Sequence, residues 1–165
     1  MTGTIYPQNP VLMVDDEEQA LVSFEMALRS ANLSHFLQCR DSREVMPLLA
    51  RQEPEVILLD LRMPHLSGEE LLPMITGDYP EIPVIIITGA NDVETAVSCM
   101  KLGAFDYMVK PVERSRLIAG VKTAVHLREL RRENRRLTTH VLSDQLEHPD
   151  AFSGIITTSL NPAEK

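Results

Sequence analysis

At 165 residues the chain is long enough for one domain with a full core and a short extension. Its 44% hydrophobic and 24% charged residues are those of an ordinary globular protein, and a formal net charge of −8 excludes a surface that grips nucleic acid as a whole. No apolar run is long enough to span a membrane, Met1 to Pro10 has neither the basic nor the apolar region of a signal peptide, and Cys39 and Cys99 match no metal-ligand spacing; the expectation is a cytoplasmic protein with free thiols.

Residues 1–9 read as a tail. Val11 to Val14 is the first strand-length apolar run, and a helical face of Ala20, Leu21, Phe24, Leu28 and Ala31 follows it. His35 to Leu37 is a weaker strand. The next helix starts at Asp41 or Ser42, either of which suits an N-cap, and turns Val45, Leu48 and Leu49 inward. Val56 to Leu59 is again strongly apolar. Ser67-Gly68 opens a helix carrying Leu71, Leu72 and Ile75, with Pro73 expected to kink it and Pro47 expected to kink the helix before. Val84 to Ile87 is the most apolar strand. The fourth helix runs from about Asn91 with Ala96, Val97 and Met100 inward, and Gly103 is a natural residue just past its end. Asp106 to Val109 is the last strand, and a long helix begins after Pro111.

Strands that alternate with helices in this way imply a parallel sheet covered on both faces, which is why the strands are apolar throughout. Five of each predict a doubly wound α/β domain over residues 10–120, in the flavodoxin-like strand order 2-1-3-4-5.

The strand ends carry the chemistry. The first strand ends at Asp15-Asp16, the third at Asp60, the fourth at Thr88-Gly89 and the fifth at Lys110-Pro111. An open parallel sheet binds its ligands beyond the carboxyl ends of its strands, so three carboxylates, a hydroxyl and an ammonium are expected to meet there. Carboxylates so crowded need a cation or raised pKa values. The donors are hard oxygens without His or Cys, which favours Mg²⁺ held by Asp15, Asp16 and Asp60. An aspartate beside a metal and a lysine is suited to attack phosphorus and form an aspartyl phosphate, with Lys110 and the metal offsetting the developing charge and Thr88 donating to a phosphoryl oxygen. Taken singly, each residue has a plainer reading. Asp15-Asp16 suits a helix N-cap. Thr88 alone is a turn residue, Tyr107 core packing, and Lys110 and His65 solvated side chains.

The set Asp15-Asp16, Asp60-Leu61-Arg62-Met63-Pro64, Ser67-Gly68, Thr88-Gly89-Ala90 and Lys110-Pro111 resembles the receiver domain of two-component response regulators. The resemblance implies Asp60 as phosphoacceptor, the Arg62 backbone carbonyl as a further metal ligand, Thr88 and Tyr107 as a switch pair, Lys110 as the phosphate-contacting cation, and a cis Lys110–Pro111 bond. It implies a sensor histidine kinase as partner and a signalling domain rather than an enzyme, with no activity beyond self-phosphorylation and slow autodephosphorylation.

From Val121 the helical pattern continues without Gly or Pro to about Glu147. Leu127, Asn134 and Val141 fall at heptad position a, and Leu130 and Leu137 at d, predicting a parallel coiled-coil homodimer over 121–147 that weakens at Asp144. Arg128, Arg131, Arg132, Arg135 and Arg136 are expected on its outer faces. Residues 148–165 read as a tail in which Phe152, Ile155-Ile156-Thr157 and Ser159 resemble the opening of the AAA+ domain of sigma-54-dependent transcriptional activators, although no Walker motif is present. The resemblance implies that sigma-54 RNA polymerase and DNA are reached only through an output domain missing here.

Other readings fit less of the pattern, and a nucleotide-binding Rossmann domain fits least, since no Gly-rich turn follows the first strand. One is a single-domain receiver serving as a phosphorelay shuttle or partner-binding module. Another is a haloacid-dehalogenase-type phosphatase, which needs a second aspartate where Arg62 stands.

Overall fold

A computed structural model describes residues 3–147; the segment from Phe152 to Ser159 lies outside the described residues. The chain divides into two compact units, one ending at Arg128 and one beginning at Glu129. Strands β1 (Val11–Val14), β2 (Phe36–Cys39), β3 (Val56–Leu59), β4 (Val84–Thr88) and β5 (Asp106–Val109) alternate with helices α1 (Glu18–Arg29), α2 (Val45–Arg51), α3 (Gly68–Asp78), α4 (Val93–Lys101) and α5 (Arg114–Glu147). All pairings are parallel and the order is β2-β1-β3-β4-β5, as the alternation predicts.

The two-residue period of the strands divides the core into two layers. Val11, Met13, Val56, Leu58, Ile85 and Ile87 face Leu21, Phe24 and Leu28 of α1 and Leu117, Val121 and Val125 of α5. Leu12, Val14, Ile57, Leu59, Val84 and Ile86 face Val45 and Leu49 of α2, Leu71, Leu72 and Ile75 of α3, and Cys99 of α4. Each such side chain contributes about 1.5–3 kcal/mol of burial, so both faces of the sheet hold the strand ends in place.

Several details differ from the expectations. In α4 the inward residue is Cys99, while Val97 and Met100 are half-exposed; Val93, Val97 and Met100 do recur at helical spacing, but the face they form is turned to solvent, with Val93 76% exposed. Pro47 lies in the first turn of α2, where a missing N–H leaves no helical bond unmade, so nothing requires a kink there. Pro73 does fall inside α3. The plainer alternative for Asp15-Asp16, a cap on α1, is not what the structure has: the N-cap position is Glu17, with no side-chain bond.

The largest correction concerns Arg128, expected on an outer face but only 4% exposed. The stripe of α5 against the sheet runs Leu117, Val121, Ala124, Val125, Arg128 at helical spacing. The Arg128 stem completes it while the guanidinium pairs with Glu53 and with Glu81 at 3.4 Å. Beyond it, Leu130, Leu137 and Val141 are half-exposed.

Candidate functional site

Backbone bonds extend the strand ladders just past the strand ends and thereby set the site. The Asp15 N–H donates to the Cys39 carbonyl at 3.1 Å, Asp60 N–H to Val14 at 3.0 Å, and Lys110 N–H to Thr88 at 2.9 Å. One carboxylate oxygen from each of Asp15, Asp16 and Asp60 lies within 4.8 Å of the others. Asp15 is 1% and Asp60 5% exposed, and Asp16 is partly exposed. The Lys110 ammonium bridges two of them, with Nζ 2.6 Å from Asp15 and 3.6 Å from Asp60. The Lys110–Pro111 bond that follows is cis.

The electrostatics follow from this crowding. Burial, then the charge of Asp15, push the Asp60 carboxyl above the ordinary aspartate value, against the pull of Lys110, the Arg62 amide and the Thr88 hydroxyl. Burial disfavours the Lys110 charge, but its bond to Asp15 and the charge of Asp60 outweigh that and raise its pKa. Asp15 Oδ1 also accepts from the Glu17 N–H at 2.9 Å, and Asp60 Oδ1 from the Arg62 N–H at 3.4 Å.

Thr88 is fully buried, and its hydroxyl accepts from the Ala90 N–H at 3.4 Å. The Tyr107 hydroxyl donates to the Ala90 carbonyl, and burial raises its pKa. Thr88 and Tyr107 are thus joined through the backbone of one residue, Ala90, a link the sequence did not disclose because Ala90 contributes only backbone. Arg62 lies two residues after Asp60 at the mouth of the same loop, whereas His65 is exposed in that loop with a φ of 72°.

Gly68 is required where it stands. A Cβ there would lie 2.2 Å from the Asp60 carbonyl, so only glycine lets α3 begin against the end of β3. Ser67 caps that helix in a capping box with Glu70. Both cysteines are buried and free.

The donor set suits Mg²⁺. It offers hard oxygens from three carboxylates on one edge, and the Asp60 carboxylate, disfavoured by burial and by the charge of Asp15, is one that a cation would stabilise. The sequence profile of the family described as "Response regulator receiver domain" matches residues 11–122. The chain belongs to the response regulator receiver family. Among relatives of this receiver is the DNA-binding transcriptional regulator NtrC of Escherichia coli K12, 33% identical over 147 residues, covering 86% of this chain and 31% of the relative. The response regulator protein PilR of Pseudomonas aeruginosa is 35% identical over 133 residues, covering 81% of this chain and 30% of PilR. The receiver therefore spans about a third of the length of these relatives. Among solved structures, a receiver domain protein from Clostridium thermocellum superposes with a TM-score of 0.68 at 31% identity, covering 74% of this chain and 98% of that one. NtrX from Brucella abortus superposes with a TM-score of 0.70 at 30% identity, covering 78% of this chain and 29% of NtrX. Among the described residues no helix is long and apolar enough to cross a membrane.

Proposed function

We propose that this receiver is phosphorylated on Asp60 by a sensor histidine kinase in a Mg²⁺-dependent reaction. The observation that carries the reading is the convergence of Asp15, Asp16, Asp60 and Lys110 at one rim of the sheet. Asp15, Asp16, Asp60 and the Arg62 carbonyl would hold Mg²⁺, which when bound offsets the negative charge of the phosphoryl group. Asp60 Oδ attacks the phosphorus of the kinase phosphohistidine. An O–P bond forms as the P–N bond breaks, and its electron pair stays with the imidazole ring. Lys110, already between two carboxylates, turns to a phosphoryl oxygen and steadies the charge.

The switch follows from the backbone of Ala90. A phosphoryl group on Asp60 accepts the Thr88 O–H hydrogen and draws the hydroxyl toward it, away from the Ala90 N–H that now donates to the Thr88 oxygen at 3.4 Å. As Thr88 turns, the segment between β4 and α4 shifts, and the Ala90 carbonyl releases the Tyr107 hydroxyl. The half-exposed Leu130, Leu137 and Val141, with Asn134, are suited to pair with a second copy. The NtrC and PilR likenesses support a cytoplasmic regulator that reaches sigma-54 polymerase and DNA through a further domain.

The test is labelling by a small-molecule phosphodonor. Wild type is labelled in Mg²⁺ and not in EDTA, and Asp60→Asn is not labelled; undiminished labelling of the variant overturns the assignment.

A further inference from the structure

We propose that Ser42, from the segment between β2 and α2, is a positioning residue for the metal site, acting through the loop that carries Arg62. The inference rests on the reading of Asp60 as a Mg²⁺-dependent phosphoacceptor. Asp41 and Ser42 compete on paper for the cap of the same helix. In the structure Asp41 caps the 3-10 turn Ser42–Glu44 that leads into α2, accepting from the Arg43 N–H at 3.0 Å while Arg43 Nε and Nη2 hold its carboxylate at 3.0 and 2.8 Å. The Ser42 hydroxyl is thereby left for another task, and it is 1% exposed. It donates to the Pro64 carbonyl at 2.8 Å and accepts from the Leu66 N–H at 3.1 Å.

These two bonds straddle His65, whose φ of 72° places it in the left-handed region that a non-glycine residue adopts only when held there. Among the described residues, they are the hydrogen bonds that reach residues 62–66 from outside the 60–68 segment. The segment is otherwise tied at its ends, by the Arg62 N–H to Asp60 and by the Gly68 N–H to the Leu61 carbonyl at 2.9 Å. Ser42 itself sits on a firm base. The Cys39 thiol at the end of β2 donates to the Asp41 carbonyl at 3.1 Å, and Val45 just beyond is fully buried.

One hydroxyl therefore ties the middle of the loop to the segment between β2 and α2, beside the packing of Met63 and Leu66 on the core. Mg²⁺ tolerates little departure from octahedral geometry, so a carbonyl ligand at Arg62 is useful only if its loop is held. Ser42 touches neither the metal ligands nor the phosphoryl group; it acts by where it holds Pro64 and Leu66.

The experiment titrates Mg²⁺ calorimetrically into the 165-residue chain and records thermal melts of the same samples. Ser42→Ala is expected to weaken Mg²⁺ about tenfold, in the range usual for loss of a group that orients metal ligands. Val45→Ala, a core deletion in the adjoining helix, lowers the melting temperature but leaves Mg²⁺ affinity within about twofold, because it removes no bond to the loop. Ser42→Thr retains the hydroxyl and stays within about threefold of wild type, which keeps the test open if the alanine variant folds poorly. Wild-type Mg²⁺ affinity in Ser42→Ala, or equal weakening in Val45→Ala, overturns the role of Ser42 alone. A wild type that binds no Mg²⁺ overturns the underlying reading and this proposal with it.

Discussion

Replacing Asp60 by asparagine should stabilise the metal-free protein at neutral pH. Asp60 is 5% exposed, and its carboxylate lies 3.6 Å from the Lys110 ammonium. At an effective dielectric of about 20 that attraction is worth about 4–5 kcal/mol. Against it stand Asp15 and Asp16, each presenting an oxygen within 4.8 Å, and each repulsion is at least about 3.5 kcal/mol on the same scale. Desolvation of the buried carboxylate and the charge of Asp15 together outweigh Lys110, the Arg62 amide and the Thr88 hydroxyl, in agreement with the raised Asp60 pKa. Allowing for solvent screening of the partly exposed Asp16, the net gain for Asp60→Asn is about 1–3 kcal/mol, or roughly 3–10 °C in Tm. The pH dependence carries the sign. The folded Asp60 carboxyl binds its proton more tightly than the unfolded one, so stability falls as pH rises from the ordinary value of 3.8 through the folded pKa, and the full penalty is present at neutral pH. The advantage of Asp60→Asn is therefore complete at pH 7.5 and fades as the pH falls toward 3.8. Urea melts in EDTA at both ends of that range read the effect, and saturating Mg²⁺ should remove most of it. A variant less stable than wild type at pH 7.5 in EDTA would refute the reasoning.

Other consequences follow from the same geometry. Arg128→Ala should cost only about 1–2 kcal/mol, less than the breaking of a fully buried pair, because Glu53 and Glu81 are 52% and 41% exposed in their side chains and resolvate; urea melts report it, and a loss above about 4 kcal/mol would mean that both carboxylates depend on the arginine. Gly68→Ala forces a Cβ to within 2.2 Å of the Asp60 carbonyl, so it should lower stability by about 2–3 kcal/mol and slow phosphodonor labelling together. Tyr107→Phe removes the bond to the Ala90 carbonyl but nothing at Asp60, so labelling should persist while the difference in proton–deuterium exchange of residues 89–92 between free and beryllofluoride-treated protein shrinks. Leu130→Glu with Leu137→Glu should leave the chain monomeric by sedimentation at concentrations where wild type associates, since both replace half-exposed seam residues with like charges.

The strands were legible because a sheet buried on both faces demands unbroken apolar runs, and Val56–Leu59 and Val84–Ile87 supply them. β2 was less so: it lies at the sheet edge, its exposed Gln38 interrupts the run, and the strand reaches Cys39 rather than ending at Leu37. The gathering of Asp15, Asp16, Asp60 and Lys110 could be read from strand ends alone, since parallel topology brings those ends to one rim. What the sequence withheld was contact between polar groups far apart in the chain. Arg128 looks like a solvated linker residue until Glu53 and Glu81 are placed beside it. Ser42 looks like a helix cap until its hydroxyl is seen bonded to Pro64 and Leu66. Neither contact leaves a periodic or motif signal, because each joins groups more than twenty residues apart.

The most direct test of the central claim is chemical mapping of the phosphorylated residue. The receiver is treated with a phosphodonor and Mg²⁺ and then reduced with borohydride, which converts an aspartyl phosphate to homoserine, and its peptides are sequenced by mass spectrometry. Homoserine at position 60, absent when Mg²⁺ is withheld, is the expected result. Homoserine at another aspartate with residue 60 unchanged, or the same yield at 60 in EDTA, would contradict it.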